Sequence, residues 1–107
     1  MKTRRQITIS FQQLLEGRAV TALTYGVQGE LFAAVANERI IYQILQNGNI
    51  FKEMAIKEVD REDMISFISQ NPADPSEISI ATIRRNVFIG RDDGESWTKI
   101  ANKGKTT

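Results

Sequence analysis

The sequence offers carboxylates, tyrosines and arginines for chemistry, but it has neither histidine nor cysteine. Without them, the commonest general base, the commonest nitrogen ligand for metals and all thiolate chemistry are excluded. Asp60 and Asp63 are paired carboxylates of the kind that glycoside hydrolysis uses. They lie in a charged segment, 56–63, where nothing evident would shift a pKa. We therefore predict no catalytic, cofactor-binding or metal site, and no enzymatic activity.

Arginines recur in the polar connections between apolar runs. Arg39 and Arg85 occupy equivalent positions of two similar segments, and Arg61 and Arg84 lie in connections that should reach the same end of the fold. Arginine binds carboxylates through two parallel hydrogen bonds, so the four residues predict a partner-binding face. The alternative is that they are ordinary solvated loop charges.

The elements that would position the arginines include two similar segments of the sequence. Ile41–Phe51 and Val87–Trp97 match at a constant offset of 46 residues. Each has a β-branched and aromatic run, then Asn-Gly or Asp-Gly, then an aromatic residue. Asn-Gly and Asp-Gly between apolar runs indicate hairpins, because glycine adopts a positive φ at no steric cost. A repeat of this length is typical of four-stranded propeller blades.

The repeat predicts an all-β fold in a single domain, 1–107. Residues 19–56 form the first blade, residues 64–102 form the second, and residues 6–17 supply the outer strand of a preceding blade. Residues 70–76, which hold both prolines, are predicted to be a loop, and 103–107 a frayed tail. A helix over 60–70, capped by an aspartate and ended before Pro72, is the alternative and would give a small α+β domain.

The second copy carries a recognisable motif. Gly90-Arg91-Asp92-Asp93-Gly94-Glu95-Ser96-Trp97 resembles the Asp-box of sialidase-type (BNR-like) propeller repeats, Ser-x-Asp-x-Gly-x-Thr/Ser-Trp. The positions that match are Asp92, Gly94, Ser96 and Trp97, whereas Gly90 replaces the first serine. Sialidases, sortilin-like receptor domains, xyloglucanases and photosystem II assembly factors share such repeats. The first copy lacks the aspartate and the tryptophan.

The resemblance implies structural roles for the motif. In such repeats the aspartate accepts backbone hydrogen bonds within its own turn, and the tryptophan is buried between neighbouring sheets. A catalytic Asp92 or a ligand-stacking Trp97 is the alternative interpretation. Sialidase-like catalysis needs an arginine triad, a tyrosine nucleophile and an acid. Tyr25, Tyr42 and the arginines show no spacing that maps onto that set.

Two blades do not close a propeller, which needs four to eight. We therefore predict a homo-oligomer, with two chains giving four blades or three giving six. The predicted function is a non-enzymatic binding or scaffolding module for a protein or peptide. A glycan-binding, lectin-like protein is the alternative, and a glycosidase-related domain a third hypothesis.

Composition adds bounds on the partners and the compartment. The net charge of +1, from 14 basic and 13 acidic residues, gives no reason to expect nucleic acid or a membrane surface as partner. No apolar run approaches the ~20 residues that span a bilayer. The basic N-terminal residues are not followed by the apolar region of a signal peptide, so the expected location is cytoplasmic.

Overall fold

The computed structural model describes residues 19–45 and 50–106, and within these ranges all regular structure is β-strand. The predicted all-β class is confirmed. The alternative helix over 60–70 is wrong, because a strand, Ile65–Asn71, begins inside it. The predicted outer strand at 6–17 and the Asn47-Gly48 turn lie outside the described residues.

The strands form two antiparallel sheets in which neighbours along the chain pair in order. The first sheet consists of β1 (Val20–Tyr25), β2 (Leu31–Val35), β3 (Ile40–Ile44) and β4 (Ile50–Ala55). The second sheet consists of β5 (Ile65–Asn71), β6 (Asp74–Thr82), β7 (Val87–Gly90), β8 (Thr98–Asn102) and β9 (Lys105–Thr106). The sheets fall within the predicted units 19–56 and 64–102, except that β9 extends the second.

The apolar composition of β2 explains its central place in the first sheet. Its residues 32–35 are all buried, as expected for a strand that is covered on both faces. In β6 the alternation is regular instead, with Ile78, Ile80 and Thr82 buried between half-buried neighbours. One face of the second sheet is therefore more open than the other.

Two predicted connections and the predicted C-terminal tail differ from the structure. The loop at 70–76 is a two-residue turn, Pro72-Ala73, and Pro75 lies at an irregularity in the β5–β6 pairing, where a missing N–H is tolerated. The supposed Asp93-Gly94 hairpin is a seven-residue connection, Arg91–Trp97, and β8 begins only at Thr98. The supposed frayed tail pairs with β8 as β9.

Strand register shows the repeat in three dimensions. One cross-strand row of the first sheet is Leu23, Ala33 and Tyr42. The matching row of the second sheet is Ile68, Ile80 and Phe88. The opposite faces match in the same way, with the row Ala22, Ala34 and Ile41 in the first sheet and the row Phe67, Ala81 and Val87 in the second. Strands β1–β4 and β5–β8 therefore share one strand order and equivalent cross-strand rows.

The main core lies between the two sheets. The face that the first sheet contributes to it is not the equivalent of the face that the second sheet contributes. The Ile68 row of the second sheet shares one buried cluster with the Ala22 row of the first. The face that carries Tyr42 in the first sheet forms a separate buried cluster: Ala33, Val35, Tyr42 and Ile44. The two sheets therefore stack head to tail, with the same face of each unit pointing in the same direction along the stack.

Candidate functional site

Asp92 closes the Arg91–Trp97 connection, hereafter the Asp92 turn. Its Oδ1 accepts a hydrogen bond from the backbone N–H of Ser96 at 2.9 Å, and its Oδ2 accepts one from the Ser96 hydroxyl at 2.7 Å. The Ser96 hydroxyl and then the Ser96 amide lower the pKa of Asp92 below its ordinary value. The carboxylate is thus held ionised as the acceptor of its own turn.

Gly94 and Trp97 fix the Asp92 turn onto the core. Gly94 has φ of +83°, and a Cβ built there would lie 2.4 Å from the Sδ of Met54 on β4. Trp97 is 6% exposed and belongs to the cluster between the sheets. Its indole N–H donates to the Gly94 carbonyl at 3.2 Å. Both residues therefore hold one sheet against the other, and the indole is not available to a ligand.

Two residues outside this turn contact it, and the sequence did not reveal either contact. Gly90 lies against the indole, since a Cβ there would stand 3.1 Å from Trp97 Cδ2. Lys52 on β4 reaches from the first sheet, where its Nζ donates to the Asp93 carbonyl at 2.6 Å and lies 3.2 Å from Glu95 Oε1. The spacing of 41 residues between Lys52 and Asp93 leaves no local signal for this contact.

The predicted arginine face lies at the other end of the sheets. The β2–β3 turn, the 56–64 loop, the β6–β7 turn and the β8–β9 turn all meet there, and we call this end the arginine end. It carries all four predicted residues: Arg39, Arg61, Arg84 and Arg85. A cleft of about 290 Å³ opens there between the β2–β3 turn and the 56–64 loop. Its lining is Asn37, Glu38, Arg39, Arg61 and Asp63.

The four arginine side chains differ in their contacts and in their exposure. Arg39 is half-buried, and its Nη1 donates to the carbonyls of Lys57 and Val59, both at 3.2 Å, so it anchors the 56–64 loop. Arg84 lies 3.6 Å from Glu62 in an exposed ion pair of little energetic weight. Within the described residues, the exposed side chains of Arg61 and Arg85 make no ion pair or hydrogen bond.

The backbone carbonyls of Arg39 and Arg85, which the sequence predicts to be equivalent residues, accept comparable hydrogen bonds. The Arg39 carbonyl accepts the N–H of Ile56 at 2.7 Å, just past β4, and the Arg85 carbonyl accepts that of Gly104 at 2.7 Å, just past β8. Arg85 itself has φ of +65°, a conformation unusual for a residue with a Cβ. The fold thus holds Arg85 at an exposed, fixed position of its turn.

Asp63 accepts hydrogen bonds that connect the loops and turns of the arginine end. It is 9% exposed, and its Oδ1 accepts the N–H groups of Met64 at 2.8 Å and Arg84 at 3.2 Å. Its Oδ2 accepts the side-chain amide of Asn86 at 3.0 Å. Asn86 Oδ1 in turn accepts the N–H of Lys103 at 2.9 Å. This network fixes three connections to one another.

The network corrects the prediction that nothing perturbs Asp63. Burial acts to raise the pKa of Asp63, but hydrogen bonds from Thr82, Asn86, Met64 and Arg84 oppose it and bring the pKa below its ordinary value. These donors lie up to 23 residues away in the chain, so a local charge pattern does not reveal them.

We expect Asp63 to make stability dependent on pH in the acid range. Because the pKa of the folded state lies below the unfolded value of 3.8, the stabilisation is complete above that pH and is lost as pH falls through the folded pKa. Urea unfolding at about pH 6 and about pH 3 measures the loss. Between these two pH values Asp63→Asn should lose less free energy of unfolding than the wild type. Asp60→Asn, which removes an exposed carboxylate of the same loop, should lose as much as the wild type.

The described residues contain no group of three or more aspartates or glutamates that could hold a metal ion. Nor do they include a helix long and apolar enough to cross a membrane. No protein-family model matches this sequence, and no curated protein shows significant similarity to it.

Proposed function

We propose that this protein is a non-enzymatic binding module of β-propeller type that engages a protein or peptide at the arginine end. The observation that carries the proposal is the pair Arg61 and Arg85, two exposed guanidinium groups on a framework fixed by Asp63 and Arg39. Guanidinium groups bind carboxylates bidentately, so acidic side chains or a peptide C-terminus suit this end. A preorganised framework reduces the ordering cost of binding.

The contacts of the Asp63 and Asp92 carboxylates support a role other than catalysis. A general acid needs a raised pKa and a free oxygen, whereas the Asp63 oxygens accept several hydrogen bonds and its pKa is lowered. The Asp92 oxygens are occupied by Ser96. Neither residue is therefore poised to exchange a proton with a substrate.

We further propose that the chain belongs to the sialidase-type Asp-box propellers and that two or three copies complete the ring. The Asp92 hydrogen bonds and the buried Trp97 have the geometry that this resemblance implies. Head-to-tail stacking also supports the ring, because such a stack can be continued by a further unit of the same kind. Closure with four or six blades leaves no face of a sheet open.

The experiment is a selection of random peptides by display on the immobilised full chain. We expect enrichment of peptides rich in aspartate and glutamate or ending in a free acidic C-terminus. The double variant Arg61→Ala/Arg85→Ala should weaken binding of an enriched peptide by at least ~10-fold, since each lost charge-assisted contact is worth about 1.5–3 kcal/mol.

Arg91→Ala is the matched control. It removes one exposed arginine from the opposite end of the sheets, where Arg91 pairs with Glu77 at 3.3 Å, and should leave peptide affinity unchanged. Equal losses in both variants would point to non-specific charge attraction and overturn the assignment. Binding to a glycan array without peptide binding would instead favour the lectin alternative, for which Tyr25 and Phe67 are exposed aromatic residues of the described part of the chain.

A further inference from the structure

One apolar face of the first sheet is buried, although within the described ranges only β2 and β3 contribute to it. The face consists of Ala33, Val35, Tyr42 and Ile44, and we call it the Tyr42 face. The partly buried side chains packed against it, Leu31 and Ile40, also belong to β2 and β3. The second sheet packs on the opposite face, with the Ala22 row. An apolar sheet face becomes buried only when another element covers it, so we infer that residues outside the described ranges cover the Tyr42 face.

Among the residues outside these ranges, only 1–18 have the composition of such a cover. The others are residues 46–49, with the sequence Gln-Asn-Gly-Asn, and Thr107, none of which has a large apolar side chain. Residues 6–17, in contrast, contain five large apolar residues: Ile7, Ile9, Phe11, Leu14 and Leu15. Burial of apolar surface on both sides is what stabilises such a contact, so 6–17 is the segment that fits.

The chain enters the described range beside the Tyr42 face. The Ala19 carbonyl accepts the N–H of Ala36 at 2.8 Å, which places the start of β1 next to Val35, at one end of the face. The five residues of β2 span about 16 Å. Residues 6–17 reach about 18 Å even at the short rise of a helix, 1.5 Å per residue. The segment is therefore long enough to lie along the whole face of its own chain.

The width of the covered area fits one segment rather than a further sheet. In the row that crosses the Tyr42 face, Leu23 on β1 is 55% exposed and Glu53 on β4 is also exposed. Ala33 and Tyr42 between them are buried, and strands lie about 5 Å apart, so the cover is roughly 10 Å wide. On the opposite face, where the second sheet packs, one buried row crosses all four strands: Ala22, Ala34, Ile41 and Met54.

We propose that residues 6–17 bind along the Tyr42 face of their own chain and close this end of the stack. In the second sheet the equivalent face, with the row Ile68, Ile80 and Phe88, is covered by the first sheet. The segment thus takes the place that a preceding sheet would have. A neighbouring copy can stack on the Tyr42 face only after the segment has left it. The proposal is independent of peptide binding at the arginine end, and it adds a condition to the ring proposed above.

Hydroxyl-radical footprinting of the full chain tests the cover, because the rate at which a side chain is oxidised follows its exposure. The chain has two tyrosines and one tryptophan, each in a different environment. Tyr25 is 74% exposed and Tyr42 is 5% exposed, so in the wild type Tyr25 should be oxidised about 10-fold faster than Tyr42. Trp97, which is buried between the two sheets, reports in the same experiment whether the core stays folded.

Serine at all five apolar positions of the segment should uncover the Tyr42 face. In the variant Ile7→Ser/Ile9→Ser/Phe11→Ser/Leu14→Ser/Leu15→Ser, oxidation of Tyr42 should rise about 10-fold while Trp97 stays protected. The matched control is Val27→Ser/Ile83→Ser, which replaces two exposed apolar residues outside the segment and should leave Tyr42 protected. If the five-serine variant gains mass in light scattering, footprinting is done after dilution to the monomer. A monomeric five-serine variant in which Tyr42 stays protected overturns the proposal.

A spin label locates the segment while its apolar residues stay in place. Because the chain has no cysteine, Gln12→Cys gives a single labelling site in the middle of 6–17. The amide NMR signals of Ala33 and Tyr42 should lose intensity, whereas those of β7 and β8 should not. Lys105→Cys, on β9, is the matched control and should leave the signals of β2 and β3 unchanged. Signals of Ala33 and Tyr42 that keep their intensity with the label at Gln12→Cys contradict the proposal.

A mixed sample shows which chain supplies the cover. Wild type labelled with ¹⁵N and spin-labelled Gln12→Cys without ¹⁵N are unfolded in urea and refolded together. A segment bound within its own chain leaves the wild-type signals of β2 and β3 unchanged, whereas their loss would assign the cover to a neighbouring copy and overturn the proposal. The mass of the wild type decides the ring separately. A monomer with protected Tyr42 contradicts the ring and leaves the cover standing, and an oligomer in which Tyr42 reacts like Tyr25 does the reverse.

Discussion

Gly94→Ala is expected to destabilise the protein by about 2–5 kcal/mol, one of the two largest effects of a single substitution that we expect. At φ of +83° an alanine is strained by about 1–2 kcal/mol relative to glycine. The added methyl group would also lie 2.4 Å from Sδ and 2.6 Å from Cγ of Met54. Relieving this overlap displaces the Asp92 turn or the Met54 side chain, at a further ~1–3 kcal/mol. Urea unfolding at neutral pH measures the change.

Gly104→Ala separates the two causes of that loss. Gly104 has φ of +89°, but a Cβ there would have its nearest neighbours at 3.8 Å, in ordinary contact with Arg85. The substitution therefore carries the backbone strain without the overlap, and we expect a loss of about 1 kcal/mol. In addition, Gly94→Ala should cost less in a Met54→Ala background than in the wild type. Equal losses at the two glycines would show that backbone strain alone explains Gly94.

The strands were predictable because the signals that specify them are local. Alternating and β-branched runs such as Val87–Gly90 favour strands, and the repeated segment identifies matching strands in the two halves. At Ile65–Asn71 the same reasoning competed with a possible aspartate cap. The strand forms because Ile65 and Ile68 are both buried in the cluster between the sheets, so tertiary packing decides where local propensity is balanced.

The connections were predicted less well, because their conformations depend on distant contacts. Asp93-Gly94 has the composition of a two-residue hairpin turn, yet the chain forms a longer turn in which Asp92 binds Ser96 and Trp97 enters the core. Glycine occupies the position that packs on Met54, a residue 40 positions earlier. A turn signal in the sequence thus identifies where the chain reverses but not which residues pair.

In the candidate site, too, the sequence predicted the position of the residues but not their contacts. The sequence indicated that the arginines would share one end, since equivalent connections of antiparallel sheets meet there. It did not indicate that Arg39 binds the Lys57 and Val59 carbonyls while Arg61 stays exposed. Nor did it reveal the buried hydrogen bond between Asp63 and Asn86. Burial and hydrogen-bond partners are tertiary properties, and two arginines in similar polar connections can differ completely in both.

Trp97→Ala is expected to cost about 3–5 kcal/mol, the range for removing a large aromatic residue from a core. Trp97 is 6% exposed and shares the cluster between the sheets with Phe32 and Met54 of the first sheet. Its removal leaves a cavity where the two sheets meet and frees the Gly94 carbonyl from the indole N–H. Because the Asp92 turn rests on this side chain, the loss should also loosen the contact of Lys52 with Asp93. Urea unfolding gives the free energy, and hydrogen exchange reports the opening of the turn.

Two substitutions show whether the loss comes from core packing. Trp97→Phe keeps much of the apolar area but loses the hydrogen bond, so it should cost about 1–3 kcal/mol, clearly less than Trp97→Ala. Phe67→Ala removes an aromatic residue of similar kind that is 57% exposed, and it should cost less than about 1 kcal/mol in the monomer. If Trp97→Ala were as mild as Phe67→Ala, the indole would not be holding the two sheets together, and the head-to-tail stack would depend on the aliphatic residues alone.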